Sequence, residues 1–248
     1  MSSDTNRAVQ VYVDSTYRNG GLTSKFTYQL KDNIKANRFK LTSAEIPLTF
    51  YNVRSSGVDA NNIFYFSEDN GATTRQATLT AGFYTAGTMT TSLKTAMDSA
   101  SGIASTYTVS FSTLTSKYTI SSTANFKVMY PSWLSVNWIC GYNAASSNAT
   151  SNVANTCPYF DYYQYFYLRL SINAQMCYDE TGSVNRIFKI PITNPAGSVQ
   201  FYFDVSDNHF QILDEKAISS FTVELLDSDY IAIDLNGREY SFTLTFYY

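Results

Sequence analysis

Apolar and polar residues alternate with a period of two along most of the chain, and this constrains it to strands more than any other feature. Val9, Val11 and Val13 share one side of a strand, as do Phe26, Tyr28 and Leu30 in "KFTYQL". Tyr107, Val109 and Phe111 alternate in "YTVSF", and Tyr118 and Ile120 follow after "TLTSK". Val199, Phe201, Phe203 and Val205 repeat the pattern, and Phe221, Val223 and Leu225 repeat it again. Successive strand side chains point to opposite faces, so each set marks one half-buried face. With 21 Tyr and 17 Phe among 248 residues, the composition favours the same structure, because rings fit a pleated surface. The expectation is an all-β protein with a core large enough for one sizeable domain.

Turn signals punctuate the alternation. Asn236-Gly237 lies between "YIAIDL" and "EYSFTLTFYY", and Asn70-Gly71 lies between "NIFYF" and "TRQATL". Both pairs suit the positive φ angles of a two-residue hairpin, so hairpins are predicted at each. In "LTSAEIPLTFYNV", Leu41 to Val53, an apolar run breaks at Pro47. Proline cannot donate to a sheet ladder. The strand is therefore expected to end there and turn a corner, presenting Phe50 and Tyr51 to the core, with Asn52 starting the next turn. Ile190-Pro191-Ile192-Thr193 echoes Ile46-Pro47-Leu48-Thr49, which is too short to be a repeat.

One helix is predicted, near 87–99. Met89, Leu93, Ala96 and Met97 form a single apolar stripe, with Thr85 or Thr88 as cap and Gly102 as stop. The stripe is expected to dock on a sheet, since the polar face has no basic bias. The small polar residues of 144–156 read as a flexible surface loop. The domain reading is an N-terminal arm over 1–7 and one domain over 8–248.

Little in the sequence carries chemistry. With a net charge of −3 and 17 thinly spread Lys and Arg, no nucleic-acid footprint is present. The first twenty residues lack the apolar run of a signal peptide and no later run would span a bilayer, so an intracellularly made chain without a membrane span is expected. Cys140, Cys157 and Cys177 fit neither a metal spacing nor a disulfide framework and read as free thiols. His209, the single histidine, has no Gly-x-Ser-x-Gly elbow to serve. Glu224, Asp227 and Asp229 in "ELLDSDY" lack a calcium-loop pattern and read as a strand-end turn. No catalytic residue, metal or cofactor is predicted.

The run "YFDYYQYFYLRL" is the strongest compositional oddity. It holds one cation, Arg169, which argues against stacking on nucleic acid. Tyr159, Tyr162, Tyr163, Tyr165 and Tyr167 are the candidate interface residues, because tyrosine suits a surface that is buried on one side and wet on the other. The alternative is a β-sandwich module, fibre- or lectin-like, that binds a glycan or receptor through exposed tyrosines.

Several pieces in order resemble one family: "VDSTYRN", "KFTYQL", "ANRFKLTSAEIPLTFYNV", "NNIFYF", "TLTAGFYTAGTMTTSLKTAM", "YTVSF" and the closing "SFTVELLDSDYIAIDLNGREYSFTLTFYY". The family is that of the minor capsid, or penton, proteins of virophages, polinton-type viruses and related large double-stranded DNA viruses. The resemblance weighs most at Glu45-Ile46-Pro47 with Tyr51-Asn52, at Gly82-Phe83-Tyr84, and at Asn236-Gly237. It implies a single jelly roll of two antiparallel four-stranded sheets. It further implies a homopentamer that closes the fivefold vertices of an icosahedral shell, against trimers of a double-jelly-roll major capsid protein. The location implied is the virion, with synthesis in the host cytoplasm.

Overall fold

The computed structural model describes residues 7–57, 59–160, 163–172, 177–179, 182–184, 188–204, 209–213 and 217–248. Along the chain run β1 (Ala8–Asp14), a 3-10 turn (Ser15–Tyr17), β2 (Gly21–Leu22), β3 (Lys25–Ile34), β4 (Arg38–Pro47), β5 (Ile63–Ser67) and β6 (Arg75–Thr78). Helix α1 (Ala86–Ala100), β7 (Tyr107–Ser112), β8 (Lys117–Val128), α2 (Val136–Ile139) and β9 (Ala149–Val153) follow. The remainder is β10 (Tyr165–Leu170), β11 (Cys177–Asp179), β12 (Gly182–Val184), β13 (Phe188–Pro191), β14 (Val199–Phe203), β15 (Gln211–Ile212), β16 (Ile218–Leu226) and β17 (Ser241–Tyr247). They build two compact units: one joins the chain up to Phe50 with the chain from Tyr163, and the other is Tyr51–Tyr162.

The discontinuous unit is a jelly roll. One sheet has the order β1-β17-β4-β14, with short β15 also on β4; the other has the order β13-β10-β16-β3, with short β2 at its end. All these pairings are antiparallel. Most successive long strands change sheet, which is how a double Greek key covers both inner faces. The alternation fixes which residues turn inward. Val11 and Val13 of β1, Phe242, Leu244 and Phe246 of β17, and Phe166, Leu168 and Leu170 of β10 are buried. Phe39 of β4 stacks on Phe246 at 5.4 Å and meets Phe188 of the opposite sheet edge-on at 6.0 Å, so the two inner faces interlock. Each such buried side chain contributes about 1.5–3 kcal/mol relative to exposure.

The 51–162 unit has its own sheet, ordered β6-β5-β8-β7 with β9 on β8. The helix stripe behaves as its period dictates: Met89, Leu93 and Met97 are fully buried, in one cluster with Phe64, Phe66, Tyr107, Tyr118 and Phe126. Thr85 caps the helix, its hydroxyl accepting from Thr88 N while Thr88 Oγ1 accepts from Thr85 N. Asn137 of α2 clasps β5, its amide giving and taking one hydrogen bond with the Tyr65 backbone at 2.9 and 2.8 Å.

Within the 8–248 span the chain leaves the jelly roll after Phe50 and returns at Tyr163. Two expectations are corrected. The polar stretch 144–156 is no flexible loop: it contains β9, paired with β8 from Thr119↔Val153 to Phe126↔Ala149. Its Asn152 is buried and donates to Phe126 O, and buried Ala154 follows. Asn236 and Gly237 have positive φ, 53° and 76°, but no hairpin forms there. Residues before them fold back on β16, with Ala232 opposite Leu226 and Ile233 N bonded to Leu225 O, so the segment connects β16 to β17 across the two sheets. The hairpin expected at Asn70-Gly71 does form: β5 and β6 pair antiparallel around it, from Ile63↔Thr78 to Phe66↔Arg75, through a connection over 68–74 in which both residues have positive φ, 56° and 99°.

Candidate functional site

Pro47 ends β4, as its missing donor requires. It still lies opposite Val199 of β14, and Leu48 N bonds to Ser198 O at 2.8 Å, so the chain stays with the sheet one residue longer. Phe50 then turns inward and packs edge-on against Tyr163 at 4.7 Å. Tyr51 does not enter the core as expected. It is 38% exposed, because it is the first residue of the inserted unit.

The motif residues gather in two clusters, one in each unit. In the inserted unit, the buried Asn52 side chain donates to Tyr84 O and accepts from Tyr84 N, both at 2.8 Å. Gly82 forms an antiparallel bridge with Val53 beside it. In the jelly roll, Asn236 donates through its side chain to Thr49 O, and Thr49 Oγ1 donates to Leu235 O at 2.6 Å. The turn that holds Gly237 is thereby pinned to the segment that follows Pro47. Glu45 stands apart from both, exposed on the outer face of β4, accepting from Ser241 Oγ at 3.2 Å.

The candidate interface tyrosines separate. Tyr163 is buried against Phe50 and is removed from the surface set. Tyr162 lies outside the described residues. Tyr159 is exposed in the inserted unit. Tyr165 and Tyr167 share the outer face of β10, because Phe166 and Leu168 between and after them point inward. Their rings lie 5.0 Å apart, Lys189 Nζ sits 3.9 Å from the Tyr165 ring centre, and Tyr230 stacks on Tyr167.

The polar groups singled out in the sequence already have partners. Glu224 binds Lys25 at 2.7 Å and also Arg169. Burial opposes its ionisation, yet those two cations hold its carboxyl below the usual glutamate range. Asp227 accepts from Asp229 N and Ile231 N, forming the strand-end turn. His209 Nδ1 lies 3.4 Å from Asp204 Oδ1. Cys140 is buried, and burial pushes its thiol up; Cys157 is exposed. Among the described residues, no group of three or more His, Cys, Asp or Glu could hold a metal ion, and no helix is long and apolar enough to cross a membrane.

Sequence reasoning missed Glu68. Its side chain is nearly fully buried at the end of β5, where it accepts from Gly102 N at 2.7 Å, Tyr107 OH at 2.9 Å and Ser101 Oγ at 2.5 Å. Burial alone would raise its pKa, but these bonds and Arg75 hold it below the usual range. A lone Glu after an apolar strand gives no signal of such a role. An open groove of about 510 Å³ between β6 and α1 is walled by Thr78, Tyr84, Thr91, Ser92, Thr95 and Ser99 and carries no charged side chain.

Edge strand β14 of the jelly roll exposes apolar side chains. Its Phe201 and Phe203 are 53% and 64% exposed, with Val199 beside them, while Gln200, between Val199 and Phe201, is buried. The pattern of that strand is therefore turned inside out, with its polar residue inward. Val205 of the same alternation lies outside the described residues.

No protein-family model matches the sequence, and no curated protein matches it. Among solved structures, the chain is similar to the crystal structure of selenomethionine-labelled mavirus penton protein. The TM-score is 0.55 and the identity 8%, over 96% of this chain and 98% of that one. At that identity the likeness is one of fold, and the fold is penton-like.

Proposed function

We propose that the chain is a penton-type minor capsid subunit, a non-enzymatic protein whose role is geometric closure of an icosahedral shell. Five copies meet around each fivefold vertex and contact a double-jelly-roll major capsid protein around them. The protein resides in the virion after synthesis in the host cytoplasm. The observation that carries this reading is the likeness in fold to the mavirus penton protein over 96% of the chain, a span that includes both units. The exposed aromatic surface supports it, since an obligate interface is richer in aromatic residues than the remaining surface. Permanent contacts of this kind bury more than about 2,000 Å².

The test is co-expression with a double-jelly-roll major capsid protein, followed by electron microscopy of the purified shells and native mass spectrometry of the free chain. The expected result is density for the chain at the fivefold vertices, in five copies each. Shells that close without the chain, or that carry it away from the vertices, overturn the reading. Glycan binding by a monomer that never enters shells would replace it with the receptor-module alternative.

A further inference from the structure

One end of the β1-β17-β4-β14 outer face differs in charge from the outer face of the other jelly-roll sheet, and each carries exposed aromatic side chains. On the β1-β17-β4-β14 sheet, strand register sets up two adjacent rows. One row runs Tyr12, Thr243, Ser43, Phe203 and the next runs Asp14, Ser241, Glu45, Phe201. Val199 beside Pro47 extends the apolar end. Tyr12 is 70% exposed, so rings stand at both margins of this face. The charged groups of these two rows are carboxylates, Asp14 and Glu45; the cations of the same face stand at its other end, Lys40 beside Thr245 and 4.0 Å from Asp204, and Arg38 beside Tyr247 and over the Phe210 ring. Nearby Glu239 is occupied by Ser15 and Arg18.

On the β13-β10-β16-β3 sheet the rows run Pro191 beside Tyr165, then Lys189 beside Tyr167, then Arg169, Glu224 and Lys25. Three cations therefore stand against one carboxylate. Tyr165, Tyr167 and Tyr230 supply rings at the same place.

We infer that these faces are the two halves of one contact between copies of the chain: the acidic, phenylalanine-edged face of one copy docks on the basic, tyrosine-rich face of the next. The inference rests on the pentamer reading above and deepens it by naming the surfaces. Charge complementarity selects a second copy as the occupant. Like ends would set Glu45 and Asp14 against themselves, or Lys25, Arg169 and Lys189 against themselves, and juxtaposed like charges are strongly disfavoured. The two faces lie on opposite sides of one sandwich, so the contact is heterologous. A heterologous contact closes into a ring when its rotation allows. Exposed phenylalanines at the margin of the acidic face, and tyrosines over the basic one, provide the apolar surface that charge alone would not.

The experiment is native mass spectrometry with sedimentation of four chains, all in full-length form. They are wild type, the acidic-face variant Asp14→Lys/Glu45→Lys, the basic-face variant Lys25→Glu/Lys189→Glu, and the chain carrying all four changes. Each half-variant is expected to weaken the ring at least tenfold, and the fourfold variant to recover part of that loss, because the four reversed positions again face opposite charges while Arg169 and Glu224 keep theirs. Phe201→Ser is the second probe. Its ring is exposed in the single chain, so the change leaves the core intact while weakening the ring, and it decides the matter if a charge variant fails to fold. Half-variants that assemble as wild type, no recovery in the fourfold variant, or an unaffected Phe201→Ser ring would each overturn these faces while leaving the pentamer standing. A wild type that forms rings neither free nor on shells overturns the pentamer and these faces together.

Discussion

Asn52 does the work of a short strand with one side chain. Its amide matches the Tyr84 peptide group on both donor and acceptor, so two buried backbone atoms are satisfied where no ladder reaches them. Its own carbonyl accepts from Asn61, which in turn accepts from Arg54 N. Asn52→Ala strands the Tyr84 N–H and C=O and is expected to cost ~2–4 kcal/mol, the combined penalty of two unmet buried groups. Urea unfolding of the variant checks this, and a loss below ~0.5 kcal/mol would show that solvent replaces the amide. Glu68 makes a different residue-scale prediction. Its folded pKa lies below its unfolded value, so its stabilisation is present above the ordinary glutamate pKa of about 4.3 and is lost as pH falls through the lower folded value. Glu68→Gln is therefore expected to lower the thermal midpoint at neutral pH, with a deficit that shrinks in acid. A deficit that is the same at both pH values would contradict the assignment.

At the scale of elements, α1 was legible because its two signals agree: an apolar stripe of helical period and a Thr cap three residues before another Thr. The buried stripe contributes more than the cap. Leu93→Ala is expected to cost ~2–5 kcal/mol, against about 1 kcal/mol for Thr85→Ala. Chemical denaturation of the two variants tests the order, and a larger loss for the cap would reverse it. β9 was illegible for the opposite reason. "ATSNV" has no apolar face, and its place on β8 comes from edge pairing plus one buried amide, Asn152, which composition reads as loop. The Asn-Gly pairs show a third case. They report the local φ angles correctly, since both residues of each pair are left-handed, but the partner of a strand is a tertiary choice. β17 pairs with β1 and β4 from distant parts of the chain, and this outcompetes the local hairpin. Among the candidate interface residues, Tyr165 and Tyr167 were legible by alternation, whereas Tyr163 looks the same in sequence and is buried by Phe50.

At the scale of the whole molecule, the inserted unit was invisible because it continues the strand alternation of its host, and only the stop after Pro47 marks where it begins. Its two ends are tied together in each unit separately. Phe50 packs on Tyr163 in the jelly roll, and in the insertion Asn52 donates to Phe160 O at 3.5 Å. A unit whose entry and exit adjoin, and whose core is its own, is separable. Replacing residues 51–162 with a flexible linker of about four residues, which reaches roughly 13 Å when extended, is expected to leave a cooperatively folding jelly roll. The isolated 51–162 fragment is expected to fold with its α1 stripe buried. Near-ultraviolet circular dichroism and urea titration of both pieces check this; a broad, non-cooperative transition in both would mean that the units depend on each other. Both faces assigned to the contact between copies lie entirely in the jelly roll, so the excised chain is further expected to keep the oligomeric state of the full chain. If it folds cooperatively yet stays monomeric while the full chain forms rings, the inserted unit carries the contact and the assignment of the faces fails.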